Sequence, residues 1–564
     1  MARLRFIELS ALLLASGASF GRALANDIFT SRSSDSSLPI IDLGYEVYQA
    51  SAFNSTGQYY TFSNIRYAAP PVGSLRFAAP QPPSANRSVV QDGLTDRICP
   101  QAYPDWINTS NQFVPRYLLG DKEFDESSFN FSIPTPEPDP RETEDCLFLD
   151  ISVPKAIYDN AGKTNGAPVV VWIHGGGYTV GWKTAFSNPA GLIHASQNNG
   201  ELGIIFVAIN YRLGAFGFLG GPTVQEDGTA NAGLYDQQMA LEWVQTNIAK
   251  FGGDAQQVTI HGESAGAGSI IHHLTAYGGS GPILFTQAIL QSPPVVPLVS
   301  SQLNEDILTT FLDYAGASTL QEARSLSSAT LQAANRRQVA ASPYGAFTYS
   351  PTLDDNLIPA SPAQLLQQGR FHKSVRMFIA HNENEGLIFT PPFLRNQSDI
   401  EHVVTTLFPS LSDEPQFVTD LLNNLYPEDE FSINSTSSQR TCIARTSKFK
   451  ADALINCNFY FLATAYTNTY AYRFAIEPAL HGNDVAYTYY NGPSSDVTAP
   501  AMALKMQSYI TNFIRTGSPN DSNLPSFDIY GKEGQVIVID SVDIYKATDG
   551  SMETQCSWLE RVQG

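Results

Sequence analysis

One stretch, Val258-Thr-Ile-His-Gly-Glu-Ser-Ala-Gly-Ala-Gly-Ser269, restricts the folds open to this 564-residue chain more than any other. Val258 to Ile260 is a β-branched run that reads as a buried strand. It breaks off in Gly262-Glu263-Ser264-Ala265-Gly266, and Ala265 to Leu274, small and then apolar, reads as a helix. A strand, a sharp turn with serine at its apex, and a helix make a nucleophile elbow. The glycines two before and two after Ser264 have a physical reason. The turn is strained, and strand and helix approach too closely there for a β-carbon. The pentapeptide also arises by chance, so the reading requires partners for Ser264 elsewhere in the chain.

Hydrophobic residues make up 43% of the chain and charged ones only 15%, which provides for a large core. With no internal repeat and no long low-complexity segment, one large catalytic domain is expected rather than a string of modules. The first residues read as a secretory leader. Arg3 and Arg5 give a positive start, Leu9 to Phe20 is mostly apolar, and Ala23-Leu24-Ala25 fits a signal cleavage site. The apolar run is too short to span a bilayer, and Arg22 interrupts its end. The expected organisation is therefore a signal peptide over 1–25 and a single secreted domain over 26–564. The last residues, Arg561 to Gly564, resemble neither an ER-retention signal nor a lipid-anchor tail. Asn54, Asn86, Asn108, Asn130, Asn396, Asn434 and Asn520 each sit in an N-x-S/T sequon and are candidates for glycosylation. The net charge of −21 argues against nucleic acid and anionic membranes as partners. Five cysteines in a secreted chain leave at least one unpaired or intermolecular, and no Cys/His cluster suggests a metal.

The rest of the chain alternates strands and helices. Tyr45 to Tyr48 and Tyr59 to Tyr67 read as an N-terminal hairpin. Between Cys99 and Cys146 lies a polar, acidic, proline-rich stretch that reads as a loop. Leu147 to Val153, Pro168 to Ile173 and Ile204 to Ile209 are apolar without alternation, which fits parallel strands buried on both faces. Gly233 to Phe251 reads as a long helix leading into the strand before Ser264. Ala288 to Gln291, Val375 to Ile379, Asn468 to Ala475 and Val536 to Ile539 read as further strands. Helical patterns cover Glu305 to Leu331, Gln416 to Leu425, Thr446 to Thr467 and Ala499 to Arg515. The class is α/β, with a mostly parallel central sheet flanked by helices.

A serine hydroxyl needs a base, the base needs an orienting acid, and the attacked carbonyl needs hydrogen-bond donors. After an elbow the expected order is Ser, acid, His. Of the nine histidines, His372, His381, His402 and His481 lie well downstream of Ser264. His481 follows a strand, in the loop Pro478-Ala-Leu-His-Gly-Asn-Asp484, and is the favoured base. For the acid, Glu383 and Glu385 past the Val375–Ile379 strand are both open by spacing, with Asp354 and Asp355 as alternatives. Trp172-Ile-His-Gly-Gly-Gly-Tyr178 is a glycine turn after a strand, suited to offering backbone N–H groups to an oxyanion. It lacks the Lys-Ser/Thr ending of a phosphate-binding loop. His174, upstream of Ser264, reads as part of the scaffold.

Taken together, the chain resembles the type-B carboxylesterases, the α/β-hydrolases that include cholinesterases and some fungal lipases. The resemblance rests on Arg66-Tyr-Ala-Ala-Pro-Pro-Val-Gly73, Glu144-Asp-Cys-Leu147, Trp172 to Gly177, Asn210-Tyr-Arg-Leu213, Phe251-Gly-Gly-Asp254 and Gly262-Glu-Ser-Ala-Gly266. It covers nearly the whole chain after the leader. It implies Ser264 as nucleophile, His481 as base, Glu385 rather than Glu383 as orienting acid, and Gly176, Gly177 and Ala265 as oxyanion donors. It implies disulfides Cys99–Cys146, closing a loop over the active-site gorge, and Cys457–Cys556, with Cys442 left over. Spacing alone would instead join Cys442 to Cys457.

One departure stands out. The family often has Gln-Ser-Gly-Ser after the strand that begins at Ala288, with the second serine supporting the acid. This chain has Gln291-Ser-Pro-Pro294, so the acid is expected to find another partner, such as water. The resemblance implies ester hydrolysis through an acyl-enzyme, with no metal or organic cofactor, on a small-molecule or lipid ester. Alternatives are a lipase or sterol esterase working at a lipid surface, and a non-catalytic adhesion protein on the same fold. The full set of Ser, Glu and His disfavours the last. The acidic Cys99–Cys146 stretch favours a solvated flap over a lipid lid, and hence soluble esters.

Overall fold

Val169, Val171 and Ile173 pack into one hydrophobic cluster while Val170 and Trp172 pack into another. The neighbouring segment repeats this, with Ile205, Val207 and Ile209 on one face and Phe206 and Ala208 on the other. Alternate side chains of a strand point to opposite faces, so a continuous apolar run belongs in a sheet covered on both sides. In the computed structural model, which describes residues 38–131, 137–163, 165–296, 300–432, 437–549 and 552–563, these runs form the middle of such a sheet. The expected leader with its cleavage site at Ala25, and the sequon at Asn434, lie outside the described residues.

The strands are β1 (Ile40–Asp42), β2 (Val47–Gln49), β3 (Ala52–Asn54), β4 (Tyr59–Arg66), β5 (Val90–Gln91), β6 (Phe148–Pro154), β7 (Ala167–Ile173), β8 (Ile205–Ile209), β9 (Gly253–Glu263), β10 (Gln287–Gln291), β11 (Arg376–Asn382), β12 (Thr469–Phe474), β13 (Gln535–Ile539) and β14 (Ile544–Thr548). The main sheet has 11 strands in the order β14-β13-β12-β11-β10-β9-β7-β8-β6-β4-β3. From β8 through β7, β9, β10, β11 and β12 to β13 every pairing is parallel. β6, β4 and β3 at one margin, and β14 at the other, run antiparallel. A 3-stranded sheet, β1-β2-β5, lies at the N-terminal side. This is the α/β-hydrolase architecture.

Two local expectations give way. Tyr45–Tyr48 and Tyr59–Tyr67 do not form one hairpin. β2 pairs with β1, whereas β4 pairs with the short β3 and with β6. The Ser/Asn/Gly stretch between them hides β3, which is only 3 residues long. Nor is the Cys99–Cys146 stretch all loop. Trp106–Leu119 is a helix whose inner face buries Trp106, Ile107, Phe113 and Val114 at helical spacing. The polar run Asn108 to Gln112 masked that period, and most of the prolines come later, from Pro134 to Pro140.

Several sequence markers turn out to be ion pairs that fasten loops to this frame. Arg76 meets Glu144 and Arg212 meets Asp236, all four buried. Asp145 is shared by Arg66 and Arg97. Cys99 bonds to Cys146 and Cys457 to Cys556, and Cys442 is free and buried. The Cys457–Cys556 bridge holds the terminal Met552–Gln563 helix against the body. Its removal by Cys457→Ala/Cys556→Ala is expected to lower unfolding stability by about 3–5 kcal/mol, because the bridge closes a long loop in the unfolded chain. Thermal or denaturant unfolding of the double variant measures this; an unchanged Tm would contradict it.

Candidate active site

β9 ends at Glu263 and the helix Ala265–Thr275 starts immediately, with Ser264 between them at φ 52°, ψ −129°. A non-glycine residue is strained at positive φ and is kept there only by surrounding structure. The surroundings are tight. A β-carbon on Gly262 would fall 2.5 Å from the carbonyl carbon of Gly266, and one on Gly266 would fall 2.0 Å from the carbonyl oxygen of Ile173 at the end of β7. Ser264 N–H donates to Gln291 O at the end of β10, 3.1 Å away.

Two further strand ends supply the other groups. β11 runs into Glu385, and the loop after β12 carries His481. His481 Nε2 lies 2.8 Å from Ser264 Oγ, and His481 Nδ1 lies 2.6 Å from Glu385 Oε2. Glu385 is wholly buried, yet its second oxygen is well supplied. Oε1 accepts from Ser292 Oγ at 2.6 Å, Asn382 N–H at 2.5 Å and Asn382 Nδ2 at 3.3 Å. Asn382 Nδ2 also donates to Ser292 Oγ and to Asp484 Oδ1. The expectation that the acid turns to water is corrected here. Pro294 does lack a hydroxyl, but Ser292, directly after β10, reaches Glu385 itself. The sequence carried a signal for this: Ser292 follows β10 in the same way that Ser264 follows β9.

Burial pushes the Glu385 carboxyl upward, but the charge and hydrogen bond of His481, with the donors from Asn382 and Ser292, hold it below its ordinary value. Burial works against the charged His481 imidazolium, yet Glu385 and then Glu263 hold its pKa up, at about 9. Glu263 lies 3.4 Å from His481 Nε2. Its own carboxyl is pushed up to about 8, by burial first and by Asp484 and Glu385 further, against the pull of His481. The site is thus one imidazole among buried carboxyl groups, arranged to favour a proton on the ring.

The glycine turn lies against Ser264. A β-carbon on Gly175 would sit 2.9 Å from Ser264 Cβ. Gly176 and Gly177 adopt φ 109° and 60°, and a β-carbon on Gly177 would collide with the Phe347 ring at 2.2 Å. Among the described residues no acceptor takes the N–H of Gly176, Gly177 or Ala265. Aromatic rings cluster beside these groups. Phe389 meets His481 edge-on at 5.2 Å, and Trp106 packs on Phe347 at 5.6 Å and on Phe389 at 6.1 Å. Trp106 Nε1 is fixed by Ala346 O.

The rival residues lie elsewhere. Glu383 is exposed and pairs with Arg473, and Asp354 caps the backbone at Asn356 and Ile358. Asp355 is exposed beside it. His381 meets Asp549, His402 lies on the Gln397–Leu407 helix, and His372 is tied through its N–H to Leu274 O. His174 is buried, stacks on Tyr211 and donates from Nδ1 to Gly175 O, which fits a scaffold role for the glycine turn. Among the described residues no cluster of metal-ligating side chains occurs.

A hydroxyl, an imidazole and a carboxylate thus stand in one hydrogen-bonded row at the carboxyl ends of parallel strands, where an α/β sheet offers a crevice for ligands. The chain belongs to the carboxylesterase family, which it matches over residues 48–557. It is 37% identical over 551 residues to carboxylesterase patB of Penicillium expansum, covering 93% of this chain and 96% of that protein. With carboxylesterase patB of Aspergillus clavatus it shares 39% over 530 residues, 90% and 94% of the two chains. Lipase 1 of Geotrichum candidum is more distant, at 32% over 523 residues, 85% and 88% of the two. The crystal structure of Aspergillus niger EstA superposes with a TM-score of 0.77 at 26% identity, covering 93% of this chain and 98% of that one.

The electrostatics can be read without any substrate. NMR titration of ring-labelled histidine is expected to place His481 above the ordinary imidazole value of about 6.5. In Glu263→Gln the value should fall, since Glu263 ionises near 8 and is an anion where His481 titrates near 9. A His481 pKa at or below the ordinary value, or one indifferent to Glu263→Gln, would contradict the arrangement.

Proposed function

We propose that this protein is a secreted serine carboxylic-ester hydrolase, its mature domain running from residue 26, that works through an acyl-enzyme. The observation that carries the reading is the continuous hydrogen-bond chain Ser264–His481–Glu385. Ser264 Oγ attacks the ester carbonyl while His481 Nε2 takes its proton. Glu385 holds the imidazole in place and stabilises its charged form. The oxyanion is received by the N–H groups of Gly176, Gly177 and Ala265, which are preorganised because glycine turn and helix start are already fixed. His481 returns the proton to the leaving alcohol. Water then enters and the same groups release the acid. Below its pKa His481 holds a proton and cannot act as base, so kcat/KM is expected to rise with pH across that value.

Secretion is supported by the leader-like start, by the two disulfides and by relatives named as secreted lipases. Of the candidate glycosylation sites within the described residues, Asn54, Asn86, Asn108, Asn130, Asn396 and Asn520, none is buried. No helix among the described residues is long and apolar enough to cross a membrane.

Soluble esters are the favoured substrates, since the apolar face of the Trp106–Leu119 helix is spent on the protein's own core and aromatic cluster. A lipid-surface role has one observation behind it: Leu118 and Leu119 at the end of that helix, and Phe131 beyond it, are exposed. Ser264→Ala is expected to lower turnover of aryl esters by about 10⁴-fold or more, with the fold intact by circular dichroism. Activity kept by that variant would remove Ser264 from the mechanism. With aryl esters of increasing acyl length, each taken below and above its aggregation limit, rates should saturate before aggregation. A jump in rate on aggregation would favour the lipid reading instead.

A further inference from the structure

Lys450 is a cation that the mechanism above does not use. It lies near the end of the Ser438–Ala451 helix and is 2% exposed. Other deeply buried cations here have partners: Lys183 meets Asp96 and Asp150, Arg76 meets Glu144, Arg212 meets Asp236, and Arg445 donates to the carbonyls of Tyr426 and Leu422. Lys450 has no hydrogen bond and no ion pair among the described residues. One turn earlier, on the same side of the helix, the hydroxyl of Thr446 is also buried without a partner. Lys450 and Thr446, four residues apart and so on one face of the helix, together offer an ammonium and a hydroxyl that no acceptor among the described residues takes.

Their position links them to the site. On one side the helix abuts Gly386, the residue after Glu385, so closely that a β-carbon there would fall 1.8 Å from Ser447 O and 2.8 Å from Ala451 N. Just past the end of the helix, the carbonyl of Leu454, four residues after Lys450, accepts from Val295 N–H at 3.2 Å, and Val295 lies three residues after Ser292. The helix that carries Lys450 and the turn after it therefore pack against the segments that leave the ends of β11 and β10, both of which also cradle Glu385. The same helix packs on Leu387–Phe389, and Phe389 touches His481. Burial pushes the ammonium down to about 8, so at neutral pH it still carries its charge. A buried cation without a counter-charge is unfavourable unless a ligand completes it, and an apolar pocket wall would be served as well by methionine.

We propose that Lys450, with Thr446 beside it, is the anion subsite of the substrate pocket, and that the preferred esters carry a carboxylate. This rests on the reading of the chain as an ester hydrolase acting through Ser264. The ammonium pairs with the carboxylate, the Thr446 hydroxyl donates a second hydrogen bond, and the ester carbonyl is thereby set against Ser264.

Matched ester pairs test it. The para-nitrophenyl hemiester of glutarate against para-nitrophenyl valerate puts the charge on the acyl side; carboxyphenyl butyrate against phenyl butyrate puts it on the alcohol side. In at least one pair the wild-type enzyme should prefer the anionic ester, and Lys450→Met should lower the anionic-to-neutral ratio of kcat/KM by about tenfold or more. Preference for the neutral member in both pairs, or a ratio unmoved by Lys450→Met, overturns the proposal. A second readout needs no variant: free glutarate should inhibit hydrolysis of the neutral valerate ester competitively and glutaramide should not, whereas equal behaviour of the two counts against the subsite. Absence of wild-type turnover on the neutral esters would strike the esterase reading itself, which keeps the two failures apart.

Discussion

The structure turns on how closely β9, the turn at Ser264 and the following helix press against β7. Gly266 lies so near the end of β7 that no side chain fits between them, and Gly262 lies too near the helix start for one. That contact forces Ser264 into a positive-φ conformation and lifts its side chain above the strand ends. It also brings the glycine turn after β7 against Ser264, because β7 and β9 are paired neighbours with Ile173 opposite Gly262. The candidate nucleophile and the candidate oxyanion donors thus follow from one packing event. The strain at Ser264 persists because the sheet, buried on both faces, holds the turn from below.

Around this point the molecule collects buried charge. Glu385, Glu263, Asp484 and His481 share a small volume at the ends of β9 to β12. Asp484 is pushed upward by burial first and then by Glu385, and is answered by Tyr472, Asn382 and Gln291. Carboxyl groups this close cannot all ionise at once, so neighbours raise one another and the imidazole between them is favoured in its charged form. Elsewhere the chain buries charge in closed pairs that serve the frame, such as Arg212 with Asp236. Lys450 differs from these cations in having no carboxylate or carbonyl partner among the described residues.

Much of this was legible in the residues. The buried parallel strands announced themselves as apolar runs without alternation, and the order of Ser264, Glu385 and His481 agreed with the order of strand ends. The family resemblance separated Glu385 from Glu383, and the structure gives the physical difference: Glu385 turns into the buried cluster, while Glu383 faces solvent and Arg473. What escaped was short or diluted. β3 has too few residues to show a period, and β14, with pattern Ile544-Tyr-Lys-Ala-Thr548, has an exposed edge. The Trp106–Leu119 helix hid its apolar face behind a run of polar residues. Ser292 carries no local mark of its role, because the supporting hydroxyl is expected two residues further, where this chain has Pro294, and only the packing of β10 beside β11 brings Ser292 to Glu385.

By itself the sequence determined the fold class, the elbow and the residue types available to the site, because these depend on periodicity, glycine placement and order along the chain. The tertiary structure alone decided which groups meet. Ser292 and Asn382 became partners of Glu385, Glu263 became a neighbour of His481, and Trp106 became part of the aromatic cluster, because strands and helices far apart in sequence end at one place. Proton affinity and pocket shape are properties of that meeting point. They depend on distances and burial, which no local pattern of residues encodes.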